Sequence, residues 1–338
     1  MPKANAISGN NLGVDIREND LADYAPELLD ILLRDHTTGR NIFWATHDYE
    51  ELGEGYGYAD EIMSHLVSGS RSDVVLPRVL KSRLSQQARA KEMAEVFTPS
   101  WICNAQNNLV DSAWFGREGV FNVEVDAPDG SHSWTVNKEP VNFPEGKTWR
   151  SYVNENRLEI TCGEAPYLVS RYDATTGRFI PIEERIGLLD RKLRVVSENC
   201  ETSAEWLKAA QSAYQSIYGY DWQGDNLLLA RMNLLHTFTD YYKAKFEREP
   251  LLKSVKYIAY IISWNIWQMD GLKCVVPDSC GERREVEEEL FGTVERIEHC
   301  QGCRTDELRA HNGTYALVKD WSAKGEKQKI RFVDLIKG

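Results

Sequence analysis

Apolar residues recur at helix-like intervals near the start of the chain, with acidic residues between them. This spacing predicts an amphipathic helix over residues 15–35, with its apolar face formed by Ile16, Leu21, Tyr24, Leu28, Leu29, Leu32 and Leu33. The next segment fits neither the helix nor the strand period, and we expect it to be irregular, ending in a short helix over 59–66. We expect its aromatic rings to pack in the core or in a protein interface, with stacking on bases as the alternative; they include Phe43, Trp44, Tyr49, Tyr56 and Tyr58.

The middle of the chain alternates strand and helix patterns. The sequences FNVEV and SWTV flank the turn residues 127–130 and predict a β-hairpin within an insertion over about 118–150. We then expect a strand over 157–161, two helices over 183–216 that break near 199–202, and a strand ending at Asp221. Thr202 or Ser203 is the expected cap of the second helix. Helices over about 225–246 and 252–262 and a strand over 264–269 complete an order typical of an α/β parallel sheet.

Three predicted strand ends carry residues that suit a ligand, because ligands of an open α/β sheet bind at the carboxyl ends of its strands. The first has Glu159 and then a turn at Gly163, where glycine lets the backbone approach a ligand closely. The second pairs Asp221, an acid able to accept from ribose hydroxyls, with Trp222, a ring able to stack on adenine. The third has Asp270, able to accept from an exocyclic amine. Each one taken singly also fits an ordinary turn or strand-end acid.

Together and in this order, the three stretches resemble the cofactor motifs of adenine-N6 DNA methyltransferases of restriction-modification systems, the group described as restriction endonuclease subunit M. Upstream, the sequence AEVFTP at 94–99 resembles the family's Phe-Thr-Pro motif, and the resemblance spans roughly residues 91–272. It implies a Rossmann-like class I methyltransferase sheet of the α/β class, with an α-helical N-terminal region and a β-hairpin insertion. The implied organisation is an N-terminal region over 1–90, a domain over 91–275 that binds S-adenosyl-L-methionine, and a C-terminal tail over 276–338 that contacts a partner.

The resemblance also assigns cofactor-binding roles to particular residues. The methionine pocket would be lined by Phe97, Thr98 and Pro99, and the methionine end would be held by Glu159, Thr161, Cys162 and Gly163. Asp221 would bind the ribose, Trp222 would contact the adenine face, and Asp270 would accept from the adenine amine. The turn departs from that of relatives in two ways: Ala165 stands where a second glycine is usual, and Glu164 adds a charge beside it.

The family's catalytic tetrapeptide is missing. Relatives flip the target adenine out of the duplex and clamp it with Asn or Asp, two prolines and an aromatic residue. This chain has 11 prolines and no two are adjacent, so we predict no catalytic residue in it. Residues 271–338 carry instead the acidic stretch EVEEELF, expected to be helical, and a strand-like tail, too short for a usual target-recognition domain.

Charge limits how the chain could meet DNA. A net charge of −12 argues against a protein that coats nucleic acid unaided. Residues 71–91 are basic, and we expect phosphate contacts from Arg78, Lys81, Arg83 and Arg89, with a solvated helix face as the alternative. The chain shows neither a secretory signal nor an apolar run long enough to span a bilayer, so we expect a cytoplasmic protein without membrane contact.

Seven cysteines are present, and we expect reduced thiols. The CQGC sequence at 300–303 has zinc-ligand spacing, and Cys274, Cys280 and His299 are further candidate ligands. A second such pair is missing, so we predict free thiols and no metal, with zinc as the alternative. His311 is among the histidines without metal or catalytic-triad spacing.

These observations lead to the hypothesis of a split enzyme. The chain would bind S-adenosyl-L-methionine and form a heterodimer with a second polypeptide. That partner would supply the Asn/Asp-Pro-Pro-aromatic motif, target recognition and most contacts to double-stranded DNA, in restriction-modification or phage defence. The alternative is a catalytically inactive homologue that acts as a regulatory or DNA-binding interaction protein. A third possibility is a piece of a longer enzyme.

Overall fold

Among the described residues, the N-terminal part of the fold is one helix followed by an irregular segment. The computed structural model describes residues 25–92, 95, 98–126, 130–289 and 292–336, so residues 15–24 of the predicted first helix lie outside it. Helix α1 spans Pro26–Leu33 and buries its leucines. The irregular segment is confirmed, although the helix expected over 59–66 is only a 3-10 turn at Ser64–Leu66. Trp44, Tyr49 and Tyr56 are buried in the core, as expected.

The next elements are two helices and the predicted hairpin. Helix α2 spans Arg83–Glu92, and helix α3 spans Ser100–Phe115 and ends at Gly116, whose left-handed φ of 70° suits a glycine C-cap. Strands β1, Asn122–Asp126, and β2, His132–Val136, pair antiparallel. The hairpin prediction is confirmed; residues 127–129 of its turn lie outside the described residues.

A parallel sheet follows. Helix α4, Trp149–Val153, precedes strand β3, Arg157–Glu159. Two helices, α5 at Leu188–Asn199 and α6 at Ser203–Gln215, lead to strand β4 at Ile217–Asp221. The Thr202 side chain caps α6 by accepting from Glu205 N, as one of the two expected candidates. Helices α7, Gly224–Phe246, and α8, Leu252–Asn265, lead to strand β5, Ile266–Gln268.

The sheet order is β3-β4-β5, with both pairs parallel. The mixed α/β class is therefore confirmed. Within the described residues this sheet has three strands, so the wider Rossmann-like sheet that the resemblance implies is not seen. The carboxyl ends of β3 and β4 lie side by side because their register sets Glu159 opposite Gly219, two residues before Asp221.

The C-terminal region corrects one expectation. The acidic stretch predicted as a helix forms strand β6, Arg283–Glu289, which pairs antiparallel with strand β7, Gly292–Glu298. The register sets Arg283 opposite Glu298 and Glu285 opposite Arg296. Backbone hydrogen bonds to a second strand decide this conformation, and helix propensity along one segment does not include them. A short helix α9, Gln301–Thr305, follows, and strands β8, Leu317–Lys319, and β9, Lys329–Arg331, pair antiparallel as the strand-like tail predicted.

Helix α7 is the centre of the core. Most of its residues are buried, and the large hydrophobic cluster around it combines α1, the irregular segment, α5, α6 and α8. No helix in the described part of the chain has both the length and the apolar character needed to cross a membrane.

One buried cation on α7 ties three elements together. Arg231 is fully buried, and its Nε donates to Ile266 O at 2.8 Å, while Nη2 donates to Ser263 O at 3.2 Å. Its Nη1 donates to Leu32 O and to Arg34 O at the end of α1. The guanidinium therefore satisfies carbonyl groups at the ends of α1 and α8 and at the start of β5.

We expect Arg231→Met to lower the free energy of unfolding by about 3 kcal/mol or more, because several buried carbonyl groups would lose their donor. Urea denaturation of the purified chain measures this change. The matched control is Arg248→Met at an exposed position, where the change should stay within about 0.5 kcal/mol. Equal effects of the two substitutions would contradict the role given to Arg231.

Candidate functional site

A cavity of about 850 Å³ opens at the carboxyl ends of β3 and β4. Its volume lies within the range of about 300–1,000 Å³ that is usual for small-molecule sites. Residues that the sequence assigned to the cofactor line it from three places. These are Thr98 before α3, Glu159, Thr161, Cys162 and Gly163 after β3, and Asp221 and Trp222 after β4. Two strand ends singled out from the sequence therefore meet at one cavity.

The turn after β3 has an unusual backbone. Thr161, Gly163 and Ala165 have φ angles of 46°, 51° and 64°, in the left-handed region that favours glycine. Ala165 therefore occupies a conformation that costs a residue with a Cβ about 1–2 kcal/mol. Strained backbone of this kind is typical of ligand sites. The turn brings the backbone of 161–163 to the cavity wall.

Glu164 does not add its charge to the cavity. Its carboxylate accepts from Arg78 N and from the Tyr172 hydroxyl, both at 2.6 Å, on the other side of the turn. It is buried, and its burial raises the pKa of this carboxyl above the usual value. The side chain thus anchors the turn to the basic stretch and is not among the residues that line the cavity.

Asp221 holds the two strand ends in place. Its Oδ2 accepts from Gly163 N at 2.8 Å, and its Oδ1 accepts from Gln223 N at 3.0 Å. Burial raises the pKa of this carboxyl to about 6. Each carboxylate oxygen has a second lone pair, so Asp221 can still accept from a ligand hydroxyl in the cavity.

Glu159 presents a buried acid with spare hydrogen-bonding capacity. Its Oε1 accepts from Tyr167 N at 3.3 Å, whereas its buried Oε2 has no hydrogen-bond partner among the described residues. Burial raises the pKa of Glu159 well above its usual value, and the charge of Asp221 acts in the same direction. A buried carboxylate oxygen without a donor is unfavourable unless a ligand or water satisfies it.

Trp222 is positioned by residues that lie far before and well after it in the sequence. Its indole Nε1 donates to the Tyr58 hydroxyl at 3.2 Å, and that hydroxyl donates to Asp278 Oδ2 at 2.5 Å. Gln268, at the end of β5, donates to Trp222 O and Phe43 O, both at 2.8 Å. The ring is therefore held at the cavity edge by the irregular N-terminal segment and by the loop after β5.

Asp270 is placed differently from the role implied by the resemblance. Its Oδ1 accepts from Leu272 N at 2.9 Å and from Lys273 N at 3.1 Å, and its Oδ2 lies 3.6 Å from Lys273 Nζ. These contacts cap its own turn, and Asp270 does not line the cavity. The reason is that β5 ends at Gln268, so the acid lies in the following turn instead of at the sheet edge.

The Phe-Thr-Pro stretch is only partly described. Phe97 lies outside the described residues. Thr98 lines the cavity, whereas Pro99 is the N-cap of α3 and does not. From the same stretch, Glu95 also lines the cavity.

The basic stretch contributes mainly to a buried ion cluster, which we define as Arg89, Lys81, Glu95 and Asp225. Arg89 is 1% exposed; its Nε donates to Glu95 Oε2 at 2.6 Å, and its Nη2 lies 3.0 Å from Asp225 Oδ2. Lys81 Nζ donates to the same Asp225 oxygen at 3.1 Å. Burial opposes ionisation of Asp225, but Lys81 and Arg89 hold the pKa of this carboxyl below its usual range.

This placement corrects the expectation of phosphate contacts for Lys81 and Arg89, because their charges already pair with buried acids. Arg78 is half-buried near Glu95, with 3.9 Å between its Nε and Glu95 Oε1. Arg83 is exposed on α2, and its contact with DNA stays a prediction. Sequence alone could not separate these positions, since all four lie in one basic run.

The cavity itself is acidic. Glu95, Glu159 and Asp221 line it, and no lysine, arginine or histidine is present among the described lining residues. The ion cluster pairs Glu95 with Arg89, whereas burial raises the pKa of both Glu159 and Asp221, beside which the described lining has no basic side chain. Such a cavity favours a positively charged ligand over a phosphorylated one.

Comparison of the chain with protein-family models, with curated proteins and with solved structures gives no match in any of the three. The function is therefore inferred from the geometry and charge of the cavity.

The raised pKa of Glu159 predicts a pH-dependent stability. The folded chain holds this proton more tightly than the unfolded chain, so its contribution is present at low pH and is lost as pH rises through the folded pKa. Between the pKa of Glu159 in the unfolded chain and that in the folded chain, each pH unit lowers the free energy of unfolding by up to about 1.4 kcal/mol. Because Glu159→Gln cannot ionise, the unfolding free energy of the variant relative to the parent should rise with pH. Urea denaturation of the parent and the variant at several pH values between about 5 and 8 measures this difference. A difference that does not vary with pH would contradict the assignment.

Proposed function

We propose that this chain is the cofactor-binding subunit of a split adenine-N6 DNA methyltransferase. The observation that carries the proposal is the acidic cavity at the ends of β3 and β4, which has no basic residue among its described lining. S-adenosyl-L-methionine carries a sulfonium and an ammonium group and has a net positive charge. A dinucleotide or nucleoside triphosphate would bring several phosphates, for which basic side chains are the usual partners, and the described lining has none.

The residues of the cavity fit this cofactor. The buried Glu159 Oε2, which has no hydrogen-bond partner among the described residues, suits the ammonium group as a charged donor. Asp221 suits the ribose hydroxyls, and Trp222 suits the adenine face. The bound cofactor would supply an electrophilic methyl group on its sulfur. This chain's own residues bind and orient it, and Asp221 keeps the two strand-end turns together.

The second subunit is proposed because the chain lacks any Pro-Pro pair with which to clamp a flipped adenine. A surface suited to such a partner adjoins the cavity. Among the described strands, β3 pairs only with β4, which leaves its other edge open. Beside this edge, Leu158 and Ile160 are 44% and 63% exposed, and both also line the cavity, as does Val110. Exposed apolar side chains at an open sheet edge are typical of a protein interface.

The alternative function is an inactive homologue that regulates or binds DNA. The placement of Asp270 favours it, because the acid implied for the adenine amine is engaged in its own turn. Cofactor binding separates the two: the split enzyme requires it, whereas the inactive homologue does not.

We expect calorimetry of the full chain to detect binding of S-adenosyl-L-methionine. Glu159→Gln should weaken it by roughly tenfold to a hundredfold, because a charge-assisted hydrogen bond is worth about 1.5–3 kcal/mol. The exposed Glu54→Gln is the matched control and should bind as the parent does. Asp270→Asn should change affinity less than about twofold, since Asp270 lies outside the cavity. The absence of binding by the folded parent chain would favour the inactive homologue.

Methyl transfer to DNA should require a second chain that contains Asn-Pro-Pro-Tyr or a close variant, such as one encoded beside this one. We expect Ile160→Lys to impair assembly with that partner and to lower methyl transfer at least roughly tenfold, because it would place a charge in an apolar interface. Leu251→Lys is the control, since Leu251 is 62% exposed and lies at the start of α8. Light scattering and transfer of a labelled methyl group are the measurements. A folded complex without methyl transfer would contradict the proposed activity.

A further inference from the structure

Three cysteines and a histidine converge in the C-terminal region, outside the cavity. Cys280 Sγ lies 3.1 Å from Cys300 Sγ and 3.4 Å from Cys303 Sγ. His311 Nδ1 lies 3.3, 3.5 and 3.7 Å from the sulfurs of Cys280, Cys300 and Cys303. All four donor atoms lie within 4.8 Å of one another. We propose that these four residues form a structural zinc site, an inference that does not rest on the proposed enzymatic function.

The donor set and its dimensions fit zinc. Three thiolates and one imidazole are one of the usual ligand sets of structural zinc sites, which are tetrahedral and closed. With Zn–S bonds of about 2.3 Å and Zn–N bonds of about 2.0 Å, ligand atoms in a tetrahedron lie about 3.5–3.8 Å apart. The distances from His311 Nδ1 are close to this value, and the two distances from Cys280 Sγ, 3.1 and 3.4 Å, are slightly shorter. Soft sulfur ligands select zinc over magnesium or calcium.

The local backbone is built to bring the ligands together. Cys300 is the N-cap of α9 and Cys303 lies in its first turn, so both sulfurs face the same side. Between them, Gly302 leaves room for the histidine: a Cβ at this position would come within 2.6 Å of His311 Nδ1. Any larger residue at position 302 would therefore displace the imidazole of His311. The absence of a side chain at Gly302 thus allows His311 to approach Cys300 and Cys303.

Hydrogen bonds around the ligands hold the two loops that carry them. Asn312 N donates to Cys300 Sγ at 3.4 Å, a contact that is common around metal-bound thiolates. The Asn312 side chain donates to Gly281 O at 2.8 Å and accepts from Gly281 N at 3.1 Å. The loop with Cys280 is thereby fixed to the loop with His311. Tyr315 supports the same loop by accepting from His311 N at 3.0 Å.

The structure changes the ligand set considered from the sequence. Cys274 is buried in a small hydrophobic cluster with Tyr220 and Trp267, away from the other sulfurs. His299 is exposed and pairs with Glu282 at 2.8 Å. His311, eight residues beyond Cys303, takes the fourth position. The signal in the sequence was the spacing C-x2-C-x7-H. The gap between Cys303 and His311 is longer than the gap of about three to five residues that usually separates the last two ligands of a zinc motif.

The site would stabilise a region with little core of its own. In the small hydrophobic cluster of the described C-terminal region, only three buried side chains come from residues beyond the β6-β7 hairpin: Ala316, Val318 and Val333. Cys280 precedes the β6-β7 hairpin, and Cys300 follows it, so one ion would close the base of the hairpin. A metal commonly replaces a hydrophobic core in segments of this size.

The experiment is to measure the metal content of the full chain by mass spectrometry, with cobalt substitution as a second readout. We expect one zinc ion per chain, and a cobalt-loaded chain with the visible absorption of a tetrahedral thiolate site. Cys303→Ala should lose most of the zinc; because Cys303 is exposed, the rest of the chain should stay folded. The control variants Cys274→Ala and His299→Gln should retain it.

Three results would overturn the proposal. The first is a folded parent chain that contains no zinc and binds none when it is added. The second is a disulfide between Cys280 and Cys300 in the chain purified under reducing conditions. The third is equal zinc content in the parent and in Cys303→Ala. These three results can be obtained without any assay of cofactor binding or methyl transfer. Failure of the zinc proposal can therefore be distinguished from failure of the proposed function.

Discussion

The fold around the cavity depends on the buried salt bridges between Arg89 and the acids Asp225 and Glu95. A buried ion pair is tolerated only when its partners also make hydrogen bonds, and Arg89 meets this condition with contacts to α7, to the irregular segment and to its own stretch. Breaking such a cluster by removing one partner is strongly destabilising. The cluster therefore fixes α2 against the start of α7. It also fixes the orientation of Glu95, which lines the cavity.

The same cluster explains the charge of the cavity. The positive charges of the basic stretch compensate Asp225 and Glu95, which leaves Glu159 and Asp221 buried without a cation of their own. Their raised pKa values are the direct consequence, since desolvation disfavours the ionised carboxyl. A cationic ligand would offset this desolvation penalty by pairing with the two carboxylates, and the same pairing would bind the ligand. The proposed preference for S-adenosyl-L-methionine thus follows from where the fold places its few buried arginines and lysines.

The C-terminal region connects to the site through a chain of hydrogen bonds. Asp278, two residues before Cys280, accepts from the Tyr58 hydroxyl, and that hydroxyl accepts from Trp222 at the cavity edge. A zinc ion on Cys280 would therefore stabilise the loop that helps to position Trp222. This arrangement gives the C-terminal region a structural role next to the cavity.

The sequence by itself determined what local patterns encode: the hairpin β1-β2, a helix cap at Thr202 or Ser203, the alternation of strands and helices, and the two strand ends near Gly163 and Asp221. These follow from periodicity and turn chemistry within a few residues. Tertiary structure alone decided the rest. A run of basic residues does not show that Arg89 faces inward, and acidic residues 285–289 form a strand only because residues 292–298 pair with them. Likewise, His311 joins the three cysteines because folding brings distant loops together, which no spacing rule within one segment specifies.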